Sequence, residues 1–225
     1  MANEMVWIDL EMTGLDIEHE SIIEIATIIT DGNLNIIAEG PNLAISVSEE
    51  LLEGMDEWNT THHTSSGLVD RVRNEGVSLG EAIRQTCEFL NENIEMGTAP
   101  LCGNSIHNDR VFLAKEMPEV LDMLHYRIVD VSTIKELVNR WYPELPRYSK
   151  KESHRALDDI IESIEELRHY REHIFIDYLP CEMPISLLGQ RWRFPLGFQH
   201  QSLDRLDNSL GRADLAQSPL QVQPL

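Results

Sequence analysis

Two acidic residues near the amino terminus have the spacing of a metal-binding pair. Asp9 and Glu11 lie two positions apart in a short apolar segment, and alternate residues of a β-strand leave the same face of a sheet. Two carboxylates buried side by side are unfavourable unless a cation lies between them. A solvated edge strand would tolerate the pair without a metal, but the flanking Trp7, Ile8 and Leu10 indicate a central strand. The pair therefore favours a metal site.

Asp109 is a third candidate. It follows a Gly103-Asn104 turn and precedes Phe112 and Leu113 by three and four residues, a spacing that places all three side chains on one helical face. Asp109 is therefore expected to point inward, toward the sheet. The structural alternative is an acid in the first turn of a helix that interacts only with the helix dipole.

A histidine and two acids mark the start of the last predicted helix. Helical spacing slightly favours Asp158 as the companion of His154, since residues i and i+4 share a face, but this argument fails if His154 precedes the first turn. The acids could also serve only the helix dipole, and His154 could be an ordinary surface histidine. The residues alone leave the choice between Asp158 and Asp159 open.

Four inward-facing carboxylates on separate elements are costly without compensation. Oxygen ligands of this kind suit Mg²⁺ or Mn²⁺ rather than zinc. Two such ions about 4 Å apart are the arrangement for in-line phosphodiester cleavage, and a histidine that titrates near neutrality can accept the proton of the attacking water. The pattern predicts two-metal hydrolysis of a phosphodiester.

Strand and helix signals follow one another in an order that predicts the fold class. Apolar runs at 5–10, 22–30 and 34–38, with a turn at Asp31-Gly32, predict an antiparallel meander, and the pattern over 49–93 is helical. Short strands at 99–102 and 128–131 then each precede a helix, with Pro118 ending or kinking the first of these. The last helix, predicted at 153–175, has an apolar stripe of Leu157, Ile160, Ile161, Ile164 and Leu167. This order predicts an α/β fold, a mixed sheet flanked by helices.

The charge balance restricts the substrate. The chain has 39 acidic and 18 basic residues, for a net charge of −21. Proteins that follow duplexes or long single strands usually carry a basic face, because neutralising phosphates supplies most of the affinity. The substrate is therefore either not a nucleic acid or too short to need such a face.

Domain organisation and compartment are also indicated. Residues 1–175 form the predicted catalytic domain, and 176–225, which hold half of the ten prolines, form a tail predicted to be extended or disordered. Three unpaired cysteines fit a reducing compartment, no apolar run has the length of a membrane span, and the early first strand leaves no room for a signal peptide. The expected location is intracellular, most simply the cytoplasm; a mitochondrial form would need a longer isoform.

Several motifs resemble those of the oligoribonucleases, members of the DEDDh exonuclease superfamily, and they stand in family order between residues 5 and 175. The blocks are Trp7-Ile8-Asp9-Leu10-Glu11-Met12-Thr13-Gly14-Leu15, Ile23-Glu24-Ile25-Ala26, Ala38-Glu39-Gly40-Pro41, Gly103-Asn104-Ser105 with Asp109, His125-Tyr126-Arg127, Asp130-Val131-Ser132-Thr133 and Ser153-His154-Arg155-Ala156-Leu157-Asp158-Asp159-Ile160. Other blocks, such as Trp141-Tyr142-Pro143-Glu144, resemble the animal branch.

The resemblance implies a ribonuclease-H-like fold, a homodimer, and 3′→5′ cleavage of RNA of two to five nucleotides, dinucleotides most readily. It implies that Asp9, Glu11, Asp109 and Asp159 hold two metal ions, Mg²⁺ or Mn²⁺, with His154 as general base. The family pattern places the last acid five residues after the histidine and so favours Asp159 over Asp158.

The same resemblance implies substrate contacts. Leu15 would wedge between bases, Trp58 would stack on one, and His63 and Ser105 would touch the substrate. Arg127 and Ser132 would cap the terminal 5′-phosphate, with Tyr126 reaching in from the neighbouring subunit. Trp58 and Leu15 could instead have packing roles. Two rival functions remain: another DEDDh nuclease that trims tRNA ends or proofreads DNA, and a catalytically silent nucleotide-binding scaffold.

Overall fold

A computed structural model describes residues 3–149 and 155–175. Within these residues the strands are β1 (Met5–Met12), β2 (Ile22–Thr30), β3 (Ile36–Ala44), β4 (Pro100–Gly103) and β5 (His125–Asp130). The helices are α1 (Glu49–Gly54), α2 (Glu57–Ser65), α3 (Leu68–Glu75), α4 (Leu79–Asn93), α5 (His107–Glu116), α6 (Pro118–Asp122), α7 (Val131–Trp141) and α8 (Ala156–His173). None of the described helices is long and apolar enough to cross a membrane.

The strands form one mixed sheet in the order β3-β2-β1-β4-β5, with β1 at its centre. β1 pairs antiparallel with β2, and β2 with β3, whereas β4 lies parallel to both β1 and β5. The parallel pairs arise where helical crossovers replace tight hairpins. The predicted meander, central position of β1 and mixed sheet with flanking helices are confirmed.

Alternation along β1 divides its side chains between two cores. Val6, Ile8 and Leu10 pack in the core beneath α4, α5 and α6, whereas Trp7 packs in the core beneath α7 and α8. Asp9 and Glu11 have the same parity as Trp7. The strand therefore directs both carboxylates toward the face of the sheet that α8 covers.

The first hairpin differs from the prediction at its second strand. Asp31 begins the predicted turn, and its carboxylate accepts hydrogen bonds from the backbone N–H groups of Asn33 and Asn35 at 2.8 and 2.9 Å. Leu34 adopts a left-handed backbone (φ 68°) and buries its side chain in the core, so it belongs to the turn. β3 consequently starts at Ile36 rather than at residue 34.

Two helical segments and one side-chain position also differ from the prediction. The helical stretch predicted at 49–93 is divided into four helices, because side chains such as those of Asp56 and Ser78 cap new helices within it. Pro118 starts α6 instead of merely ending α5, since proline is tolerated in a first turn. On α8, Ile161 is 40% exposed and does not belong to the apolar stripe. The predicted Ser153 start of this helix lies outside the described residues.

Substitution of the buried Trp7 tests the packing beneath β1. Its side chain is fully buried, and its Nε1 donates to Thr30 Oγ1 at 3.0 Å. Trp7→Phe should lower the free energy of unfolding by about 1–3 kcal/mol, because it leaves a void and removes a buried hydrogen bond. Urea denaturation measures the loss. Trp58 is 58% exposed, and Trp58→Phe should change the free energy of unfolding by less than about 0.5 kcal/mol. Equal losses for the two variants would contradict the assignment of Trp7 to the core.

Candidate metal and active site

The structure brings three of the four predicted ligands together. One carboxylate oxygen each from Asp9, Glu11 and Asp159 lies within 4.8 Å of the others. β1 supplies the first two from its α8-facing side, and the first turn of α8 supplies the third. Asp158, on the same turn, is exposed to solvent. The geometry thus brings Asp159, not Asp158, to the acidic cluster.

Asp109 approaches β1 from α5, and among the described residues it is not part of this cluster. β4 pairs with β1 only at Val6 and Trp7, so β1 continues beyond the parallel ladder. There the Leu10 backbone N–H donates to Asp109 Oδ1 at 3.0 Å. Asp109 is buried and points toward the sheet, as expected, but this carboxylate is held by the backbone of the strand that carries Asp9.

The electrostatics of the cluster are those of a site built for a cation. Burial first, and then the negative charges of Asp159, Glu24 and Asp109, together raise the pKa of Glu11 from 4.5 to about 8. Burial likewise raises the pKa of Asp109 from 3.8 to about 7. Ionising these acids together is unfavourable in this environment, and a divalent cation would reverse that balance. Three carboxylates within reach of one another fit a hard, oxygen-preferring ion.

Glu24 is a buried acid that the sequence reasoning did not assign to the site. It lies opposite Glu11 in the β1–β2 ladder and is fully buried. Arg71 of α3 donates to Glu24 Oε1, and the Ala156 backbone N–H donates to Oε2 at 3.3 Å. The Nε of Arg155 lies 4.0 Å from Glu24 Oε1. Glu24 therefore ties the start of α8, and with it the turn bearing Asp159, to the centre of the sheet.

A signal for Glu24 was present in the sequence. It is the single charged residue in β2, a strand whose residues are all buried. Buried charges in such strands are retained only when they are paired. The partner could not be found in the same way, because Arg71 lies 47 residues farther along the chain.

His63 packs α2 against the end of β1. Its Nε2 lies 3.0 Å from the Met12 carbonyl oxygen, which can only accept, so Nε2 carries the proton. Its Nδ1 lies 3.8 Å from Glu11 Oε2. Burial lowers the pKa of His63, which keeps the ring neutral. His63 therefore borders the acidic cluster as a buried side chain.

Other residues expected to contact substrate are exposed. Leu15 is 71% exposed in the loop after β1, whose base is fixed where Thr13 Oγ1 donates to the Glu20 carboxylate. Trp58 is 58% exposed and stacks on His62, with ring centroids 3.9 Å apart. Both are apolar side chains presented to solvent next to elements that carry the acidic cluster.

Residues from β5 and α7 form a polar region beside β4. The guanidinium of Arg127 lies 5.4 Å from the ring centroid of Tyr126, which is 72% exposed. Asp130 caps α7 by accepting from the Ser132 backbone N–H at 2.9 Å and also accepts from the Ser105 N–H at 3.0 Å. The Ser105 and Ser132 hydroxyls thus lie beside the carboxylate that caps α7. His154 and the predicted tail at 176–225 lie outside the described residues.

Comparison with known proteins identifies the class first. A sequence model of the exonuclease family matches residues 6–167. The fold is similar to Exonuclease I from Methylocaldum szegediense (TM-score 0.58, 19% identity) and to the zinc-bound complex of E. coli exonuclease I with single-stranded DNA (TM-score 0.62, 12% identity). Each comparison covers 76% of this chain and 41% of the solved chain. The sheet is therefore the ribonuclease-H-like sheet of the exonucleases.

Relatives at high identity then give the family. The oligoribonuclease of Alcanivorax borkumensis is 58% identical over 176 residues, which cover 78% of this chain and 97% of that protein. The oligoribonuclease of Photobacterium profundum is 60% identical over 172 residues, or 76% and 95% of the two chains. This chain belongs to the oligoribonuclease family. The relatives are bacterial, so they do not support the expected likeness to the animal branch.

The raised pKa of Glu11 predicts how pH affects the metal-free protein. The folded state binds this proton more tightly than the unfolded state, so the free energy of unfolding should fall as pH rises from about 5 to about 8. Melting temperatures in EDTA should therefore decline across this range more steeply for the wild type than for Glu11→Gln, which has no proton to lose. Mg²⁺ should raise the wild-type melting temperature most at the upper end of the range. If the melting temperatures of the wild type and Glu11→Gln in EDTA change in parallel with pH, Glu11 does not have a raised pKa.

Proposed function

We propose that this protein is a metal-dependent 3′→5′ exoribonuclease that degrades RNA of two to five nucleotides, dinucleotides most readily, to mononucleotides. The observation that carries the proposal is the convergence of Asp9, Glu11 and Asp159 in a chain that is 58% identical to a curated oligoribonuclease over nearly all of that protein's length.

Two divalent cations, Mg²⁺ or Mn²⁺, would be held by Asp9, Glu11, Asp109 and Asp159. Support comes from the oxygen-only donors, from the raised pKa values of Glu11 and Asp109, and from the hydrogen bond between Asp109 of α5 and the backbone of the strand that carries Asp9. When bound, such ions lower the pKa of an attacking water and stabilise the leaving oxygen.

His154 is proposed as the general base. It directly precedes Arg155, the residue at the amino-terminal end of α8, and stands five residues before Asp159 in the sequence. An imidazole titrates near neutrality and can accept the proton of the attacking water. His63 is poorly suited to that task, since it is buried and burial lowers its pKa, which makes it a weaker base.

Exposed side chains would bind the substrate. Leu15 would lie between bases and Trp58 would stack on one, for which their exposure of 71% and 58% leaves room. His63 and Ser105 would contact the substrate. The terminal 5′-phosphate would be held by Arg127 and Ser132, with Tyr126 supplied by the second subunit of a homodimer.

The net charge of the protein favours a short substrate. With a net charge of −21, the protein has no surplus of basic residues to follow a long strand. A dinucleotide has few phosphates, and a few short-range donors can satisfy them. The proposed domain for this activity is residues 1–175, since the family match ends at 167 and α8 ends at His173; the 176–225 tail would be separate from it.

Turnover of a dinucleotide compared with a long RNA tests the proposal. With Mg²⁺ or Mn²⁺, kcat/KM for a 5′-phosphorylated dinucleotide should exceed that for a twenty-nucleotide RNA by about tenfold or more, because a capped phosphate end favours short substrates. Released mononucleotides are quantified by chromatography. Equal rates would indicate a general DEDDh nuclease. Tight dinucleotide binding with no turnover would indicate a silent nucleotide-binding protein.

Adjacent acids on α8 give a matched pair of variants. Asp159→Asn should weaken Mg²⁺ binding, measured by calorimetry, and lower kcat by at least about a hundredfold, because it removes a ligand charge from the cluster. Asp158→Asn changes the same charge one residue away on an exposed position and should alter both quantities by less than about threefold. The reverse order would show that the last ligand is Asp158.

A further inference from the structure

The segment between β1 and β2, residues 13–21, contains Leu15, and we call it the Leu15 loop. Leu15 is 71% exposed, so the position of its side chain depends on the backbone that carries it. The two ends of the loop are bonded to each other. The Thr13 backbone N–H donates to the Ser21 carbonyl at 3.0 Å, and the Ser21 N–H donates to Thr13 Oγ1 at 3.1 Å. The loop thus presents an apolar side chain to solvent from a closed base.

Glu20 supports the first half of the loop from inside. Its carboxylate accepts a hydrogen bond from Thr13 Oγ1. A Cβ atom at Gly14, the residue before Leu15, would lie 2.9 Å from Glu20 Cδ, so the close approach of these two residues requires glycine. The Glu20 side chain therefore packs against the backbone that leads into Leu15.

A turn that begins at Asp16 forms the second half of the loop. The Asp16 carbonyl accepts from the backbone N–H groups of His19 and Glu20 at 3.1 and 2.9 Å. The Asp16 carboxylate accepts from the Glu18 N–H at 3.0 Å. The carbonyl oxygens of Ile17 and Glu20 find their donor outside the loop, on α5.

That donor is Lys115, near the end of α5. Its Nζ donates to the Ile17 carbonyl at 2.5 Å and to the Glu20 carbonyl at 3.2 Å. The neighbouring Glu116 accepts from the Ile22 N–H through Oε2 at 3.1 Å, and its Oε1 lies 3.7 Å from Lys115 Nζ. An ammonium group has three protons, and these three acceptors can use them all. Lys115 is therefore directed to the protein rather than to a substrate.

The same helix holds both parts of the site. Asp109 of α5 accepts from the Leu10 N–H of the strand that carries Asp9, and Lys115 of α5 holds the loop that carries Leu15. A loop that is fixed before a ligand arrives loses less conformational entropy when the ligand binds. More of the contact between Leu15 and the ligand then contributes to affinity.

We propose that Lys115 is a positioning residue that sets how strongly the protein binds the bases of its substrate, because it holds the Leu15 loop in place before binding. The proposal rests on the proposed function, in which Leu15 lies between bases. It extends that function by assigning part of the affinity for bases to a side chain that contacts the loop and not the substrate.

The measurement is the ratio of kcat/KM for a dinucleotide to that for an abasic counterpart, made for each base in turn, in which hydrogen replaces the base. Both substrates have the same phosphates, so a change in protein charge or a lost phosphate contact affects both and leaves the ratio unchanged. Leu15→Ala should lower the ratio by about tenfold, the scale of burying most of a leucine side chain. Lys115→Met keeps a chain of similar length without the ammonium group. It should lower the ratio by about three- to fivefold through KM for the dinucleotide, with kcat within about twofold.

A double-mutant cycle and a charge control separate positioning from other roles. If Lys115 acts through Leu15, the double variant should have the ratio of Leu15→Ala within about twofold, because no leucine remains to be positioned. Arg110→Met removes the same charge from an exposed position on α5 and should keep the wild-type ratio.

Other outcomes overturn the proposal. An unchanged ratio for Lys115→Met, an equal fall for Arg110→Met, or losses that multiply in the double variant would each do so. An unchanged ratio for Leu15→Ala would too, because the loop would then not contact a base. Circular dichroism establishes that each variant is folded, and Lys115→Ala repeats the test if Lys115→Met is not.

Binding without turnover distinguishes this inference from the proposed function. Dissociation constants of dinucleotide analogues with a methylene group in place of the scissile oxygen, measured by calorimetry with and without each base, should follow the same ratios. If the wild type binds the bases in this way but cleaves neither substrate, the proposed function fails while this inference stands. If it cleaves the dinucleotide and Lys115→Met keeps the wild-type ratio, only this inference fails.

Discussion

Mutual repulsion among partly buried carboxylates is the constraint around which this molecule is organised. Asp9 and Glu11 leave the same face of the central strand, and α8 adds Asp159 to them within 4.8 Å. Without a cation, Glu11 holds its proton up to about pH 8. A folded sheet that accepts such a cluster must obtain its stability elsewhere, from the cores on either side of β1, so that the site can keep its charges available for an ion.

Hydrogen bonds to two acids beside the cluster, Glu24 and Asp109, hold the elements around it in place. Glu24 adds a further negative charge beside Glu11, yet its own oxygens are bonded to Arg71 and to the Ala156 N–H. The positive charge of Arg71 is therefore paired with Glu24, which is not one of the candidate ligands. Asp109 is held in a comparable way by the Leu10 N–H. Backbone and arginine donors thus fix the geometry around the cluster.

Local patterns were sufficient for features that depend on a few neighbouring residues. Parity along β1 gave the shared face of Asp9 and Glu11, and helical spacing gave the inward direction of Asp109. Features that depend on distant contacts were not accessible. Ala156 and Glu24 are 132 residues apart, and nothing in either segment specifies their pairing. Helical spacing even pointed toward Asp158; the family pattern was needed to favour Asp159, because the start of α8 relative to the histidine could not be determined from the residues.

The net charge of the protein and its hydrogen bonds to a phosphate act over different distances. Long-range attraction from a basic surface would conflict with a net charge of −21, whereas hydrogen bonds at about 3 Å act only on a phosphate that has already reached the site. A short RNA has few phosphates and therefore needs few such contacts, whereas a long strand would be repelled along its whole length. An acidic protein can thus act on short RNA without a basic surface.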